Sequence, residues 1–91
     1  MRLMDIRRKK ILHRARYRGF KEADLLIGGF AEERLAAMSE ADVDAFEALI
    51  EQPDHDLYAW ATGAADPPSR FAGPVLDALR SFEAFARIKG R

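Results

Sequence analysis

The chain contains no cysteine, which excludes a disulfide framework, a thiolate zinc site and a cysteine nucleophile, and fits a reducing compartment. Nowhere do about 18 apolar residues stand together, as a membrane span would require. The basic start, MRLMDIRRKK, is not followed by an apolar run of signal-peptide length. Histidine is scarce, with only His13 and His55, and no segment is repetitive, linker-like or of low complexity. No stretch of strand length alternates apolar and polar residues cleanly, so β-structure is not expected. A chain of 91 residues is read as one domain, residues 1–91, burying roughly 60 to 65 % of its unfolded surface. Such a domain is too small for a deep enclosed active site, and a surface site on a soluble chain is the expectation.

What is present is charge, and it is segregated. Lys and Arg balance Asp and Glu at 15 each. Residues 1–21 nevertheless carry Arg2, Arg7, Arg8, Lys9, Lys10, Arg14, Arg16, Arg18 and Lys21 against Asp5 alone. Residues 22–66 reverse the balance, with Arg34 the single Lys or Arg among many acids. The sign changes inside RYRGFKEADLL, residues 16–26, around Gly19.

Apolar residues recur at helical spacing throughout, which predicts an all-α fold, a compact five-helix bundle around one core. The first helix is expected from an Asp5 N-cap to Tyr17, with Met4, Ile11, Leu12 and Ala15 on its apolar stripe and Gly19 ending it. The second starts near Lys21 to Ala23 and turns Ala23, Leu26, Ile27, Phe30, Leu35 and Met38 inward, leaving Glu32, Glu33 and Arg34 wet. Gly28-Gly29 should mark a kink in it or the close packing of another backbone. Ser39 and Asp42 form a variant capping box for a third helix that buries Val43, Phe46, Leu49 and Ile50. Pro53 ends that helix, and Asp54 is read as the N-cap of a short fourth one packing through Leu57, Tyr58, Trp60 and Ala61. TGAADPPSR forms the one long loop. Pro74 opens a fifth helix whose apolar face runs through Val75, Leu76, Leu79, Phe82 and Ala86, and the tail RIKGR is expected to fray.

Catalytic constellations are hard to find. His13 lies among Lys10, Arg14 and Arg16, and His55 between Asp54 and Asp56; neither has the orienting partner and nucleophile that acid–base chemistry needs. Asp54-His55-Asp56 is better read as helix capping and dipole matching than as a metal site, because consecutive residues point apart. SEADVDAFE lacks the glycine and loop length of a calcium hand. Gly28-Gly29 lacks the third glycine and preceding strand of a phosphate loop. Tyr58 and Trp60 point about 200° apart around a helix and cannot form one stacking platform. No catalytic residue, metal ligand or cofactor-binding residue is assigned. The basic first helix does leave one alternative, a small nucleic-acid-binding module gripping phosphates through Arg7 to Arg18.

RGFKE, residues 18–22, resembles the R-G-x-x-E signature of the succinate dehydrogenase assembly factor 2 family, the small FAD assembly factors also called flavinators. EADLLIGGF resembles that family's acidic-then-apolar second helix, and LIEQPDHDLYAW, residues 49–60, its D-L-aromatic-x-W segment. The resemblance spans roughly residues 5–88. It implies a protein that is not itself an enzyme and holds no FAD tightly. Such a protein binds the flavoprotein subunit of succinate dehydrogenase, and often of fumarate reductase, and promotes covalent attachment of FAD to a histidine of that partner.

Carried over by position, Arg18, Gly19 and Glu22 form the centre of the partner-binding surface, flanked by Phe20, Lys21 and Asp24. Arg18 and Glu22 are expected to display opposite charges on either side of exposed backbone and to fix the docking register. The free protein is expected to be a monomer that neither inserts in a membrane nor binds nucleic acid. A mitochondrial presequence would precede the folded domain, whereas here the basic run belongs to the first core helix. Bacterial cytoplasm is therefore the expected setting.

Overall fold

Asp5 accepts the backbone N–H of Arg8 at 2.8 Å and so caps the first helix, α1, Ile6–Arg16. The computed structural model describes residues 4–89, apart from the side chains of 87–89. After α1 come α2 (Lys21–Arg34), α3 (Glu40–Ile50), α4 (Asp54–Thr62) and α5 (Pro74–Lys89), with single 3₁₀ turns at Leu35–Ala37 and Ser69–Phe71. No strand occurs among the described residues. The Cα radius of gyration, 12.3 Å, is that of helices folded back on one another at this chain length.

Local chemistry accounts for most boundaries. Ser39 accepts the Asp42 N–H at 3.1 Å and starts α3. Gly63 takes the left-handed conformation, φ 82°, that ends α4. Several boundaries differ from expectation: α2 ends at Arg34, with Leu35 in the 3₁₀ turn and Met38 beyond it. α1 stops at Arg16 with Tyr17 as its C-cap, so Gly19 does not end the helix; at φ 118° it turns the connection into α2. Pro53, not Asp54, occupies the N-cap position of α4, and the Asp54 side chain is directed elsewhere.

The core consists of Ile11, Ala15, Ala23, Leu26, Ile27, Phe30, Leu35, Val43, Phe46, Leu49, Ile50, Leu57, Trp60, Val75, Leu76 and Leu79, with smaller alanines between them. Phe30 lies at its centre, tilted against Phe46 at 5.6 Å and edge-on to Phe82 at 5.7 Å. Trp60 is buried and stacks on Phe71, and Arg80 Nε donates to the Trp60 carbonyl at 2.7 Å. Tyr58, Phe82, Met4, Leu12 and Met38 are half-buried against this core. Ala86 is exposed, so the apolar face of α5 ends at Phe82. α5 runs through Lys89, three residues into the segment expected to fray; Gly90 and Arg91 lie outside the described residues.

The glycine pair does not interrupt α2, which is continuous from Lys21 to Arg34. A Cβ on Gly28 would come within 3.1 Å of the Arg16 Cα, so this glycine lets the end of α1 lie directly on α2. Gly29 faces the Phe82 ring with room for a methyl group, 3.7 Å away. The contact fixes where α1 ends relative to α2, and the charge-reversal corner sits on that support.

Candidate functional site

The corner is assembled by Arg18. Its side chain is buried, although the sequence suggested a displayed charge. One guanidinium nitrogen, Nη1, donates to the Ile50 carbonyl at 2.6 Å; Nη2 donates to the Gln52 carbonyl at 3.0 Å and pairs with Asp54 Oδ1 at 2.9 Å. The two carbonyls belong to the end of α3 and the turn beyond it, groups that a helix terminus leaves unpaired. A planar, forked donor array suits three acceptors held this way, where a single ammonium does not. The expectation that Arg18 is displayed for a partner is therefore corrected: its charge is spent inside the chain.

Asp24 closes the corner from the other side by accepting the backbone N–H of Arg18. Gly19 is exposed, and a Cβ there would stand 2.7 Å from Asp54 Oδ2 in addition to adopting the unfavourable φ. Phe20 is half-buried, stacked on His55 at 4.6 Å and edge-on to Tyr58 at 5.3 Å. Lys21 and Glu22 are exposed in the first turn of α2. Glu22 also suits the positive end of that helix. The six residues singled out in the sequence thus separate by role: Arg18 and Asp24 hold the corner, Gly19 permits its turn, Phe20 anchors it, and Lys21 and Glu22 face solvent.

Sequence reasoning missed several participants. Asp54 reads as a helix cap but is the counter-ion of Arg18; the signal available was an acid directly after Pro53. His55 and Tyr58 border the corner through Phe20. Tyr17 and Leu25 are among the most exposed large apolar residues, at 68 % and 66 %, and flank the motif. The run LLI in α2 held the hint for Leu25, since three successive residues on a helix cannot all face one core.

The basic helix is largely neutralised by the acidic half of the chain. Arg7 pairs with Asp44 at 2.6 Å and Glu47 at 2.8 Å, Arg8 with Glu40 at 3.0 Å, and Arg16 with Glu32. The hydrogen bonds that Arg7 donates to Glu47 and then to Asp44 hold its guanidinium charged further above its ordinary range. These arginines are engaged within the bundle, which leaves Lys9, Lys10 and Arg14 as the remaining exposed cations of the row from Arg7 to Arg18. Among the described residues no group of three or more His, Cys, Asp or Glu converges as a metal site, and no helix is long and apolar enough to cross a membrane.

A family model described as flavinator of succinate dehydrogenase matches residues 9–83. Relatives named succinate dehydrogenase assembly factor 2, mitochondrial, include one from Danio rerio, 38 % identical over 81 residues, covering 87 % of this chain and 51 % of the relative. One from Scheffersomyces stipitis is 41 % identical over 59 residues, covering 65 % and 40 %. One from Saccharomyces cerevisiae is 37 % identical over 89 residues, covering 94 % and 54 %. The chain spans about half the length of the curated relatives it matches. These relatives, eukaryotic by organism and mitochondrial by name, overturn the expectation of a bacterial cytoplasmic setting. That expectation rested on where the basic run lies, and a folded domain does not carry its own address.

Proposed function

This chain belongs to the family of succinate dehydrogenase flavinators, and on that premise we propose that it is an assembly factor for the flavoprotein subunit of succinate dehydrogenase. It binds that subunit and promotes covalent attachment of FAD to a histidine of it, without being an enzyme and without holding FAD tightly itself. A flavoprotein that attacks its own cofactor needs the histidine and the flavin held in a reactive geometry, and a bound partner can stabilise that arrangement while contributing no catalytic group. The fumarate reductase flavoprotein is a second candidate client, and the free factor is a monomer in this reading.

The observation that carries the proposal is the clamped corner. Arg18, Asp24 and Asp54 fix a stretch of exposed backbone at Gly19 and hold Glu22 beside it, which is a pre-organised docking feature rather than a catalytic one. Glu22 has no hydrogen bond or ion pair within the described chain and is free to meet a cationic group of the partner.

Glu22→Ala is the clean test, because it removes an exposed acid without touching the clamp. The expected result is loss of covalent flavin from the dehydrogenase flavoprotein, read as in-gel flavin fluorescence, with the factor still folded and its unfolding midpoint lowered by a few degrees at most. Normal fluorescence with the variant as the only factor present would sink the proposal.

A further inference from the structure

Leu25 stands 66 % exposed on α2 between two hollows. One, about 310 Å³, is bounded by Tyr17, Gly28, Gly29 and the paired Arg16 and Glu32; the other, about 350 Å³, lies between Leu26, Tyr58 and Phe82, with Glu22 on its edge. Leu25 lines both, so it forms a ridge with a furrow on each side. Two-thirds exposed, this large apolar side chain buries little of its area within the bundle. Exposed apolar surface of this kind, with polar groups around it, has the make-up of an interface centre. Glu22 stands in the first turn of α2, three residues before Leu25, and has no hydrogen bond or ion pair among the described residues.

We propose that this ridge is the apolar centre of the docking surface for the flavoprotein partner. It takes a segment of that subunit that places apolar side chains in the two furrows and a lysine or arginine against Glu22. The proposal rests on the function proposed above. Charge complementarity decides the occupant: Glu22, exposed and without a partner among the described residues, favours a cation, and the Arg16 charge is already met by Glu32. Because Leu25 projects from the second turn of a continuous helix, its contribution needs no ordering of this chain on binding.

The test is the affinity of the purified factor for the flavoprotein subunit of succinate dehydrogenase, with unfolding midpoints measured in parallel. Leu25→Lys should weaken binding about tenfold or more, the scale of a central interface residue, and should weaken it more than Leu25→Glu does. Ile6→Lys, a change at a residue 73 % exposed on α1, should leave the affinity unchanged. If Leu25→Lys binds like the parent while Glu22→Ala loses binding, the ridge is overturned and the proposed function stands. If neither variant alters binding, the flavoprotein reading falls with it. Should sedimentation show a dimer of the free factor that Leu25→Lys dissociates, the ridge belongs to a second copy of this chain and the proposal is overturned.

Discussion

Arg18 and Asp54 are joined, Nη2 to Oδ1 at 2.9 Å, tying the corner before α2 to the first residue of α4. The arginine is almost wholly buried and the aspartate is about one-third exposed on its side chain. The pair therefore acts as a strut with one wet end, with the Ile50 and Gln52 carbonyls completing the arginine's partners.

Removing the buried member should be costly. Arg18→Met leaves two backbone carbonyls and one carboxylate short of a donor, and a loss of about 3 kcal/mol is expected. Arg18→Lys should recover only part of it, because one ammonium cannot reach all three acceptors in the same geometry. Urea unfolding checks this, as a lower midpoint with an unchanged slope.

Gly19 should prove sensitive for two separate reasons. Gly19→Ala forces φ 118° on a residue with a Cβ and drives that Cβ against Asp54 Oδ2, for a cost of about 1–3 kcal/mol. The same substitution should cost less when made together with Asp54→Ala, since the second contact is then gone. A double-mutant cycle reads this directly, and strict additivity would count against it.

The neighbouring glycines should respond with opposite signs. Gly29→Ala meets the Phe82 ring at ordinary contact distance, so it should stabilise the protein by about 0.5–1 kcal/mol through helix propensity. Gly28→Ala meets backbone at 3.1 Å and should destabilise by about 1 kcal/mol as α1 is pushed outward. Thermal unfolding of the two single variants is sufficient to compare them.

The contacts between α1 and α3 should be sensitive to salt. Arg7→Gln removes the ion pairs to Asp44 and Glu47. Its unfolding midpoint should fall below the parent's at low ionic strength, and the gap should close near 1 M salt, where screening acts over about 3 Å. A gap that is independent of salt would point to lost packing of the arginine stem instead.

Where one residue type answers one local need, the sequence was legible. Asp5 and Ser39 could be placed as caps, and Val43, Phe46, Leu49 and Ile50 as a buried face, because spacing and capping chemistry are local. The R-G-x-x-E corner could be located by resemblance, though not the division of labour within it. Arg18 sits in a basic run and its acceptors lie in another helix and turn, so only the tertiary fold reveals that its charge is internal. Asp54 was misread for the same reason: a local cap and a long-range counter-ion look alike in sequence. The basic first helix resembled a phosphate-binding row because its acidic partners on α2 and α3 are distant along the chain.

Of Arg18, Gly19 and Glu22, the first two are spent by the chain on itself. Arg18 finishes the end of α3, and Gly19 avoids a collision with Asp54. Selection for a bundle that merely stays folded would preserve both, with no client protein involved. Glu22 suits the positive end of α2 but takes no part in the clamp, so on the proposed function its divergence, in a chain that still keeps the arginine and glycine, would mark a change of client rather than a loss of fold.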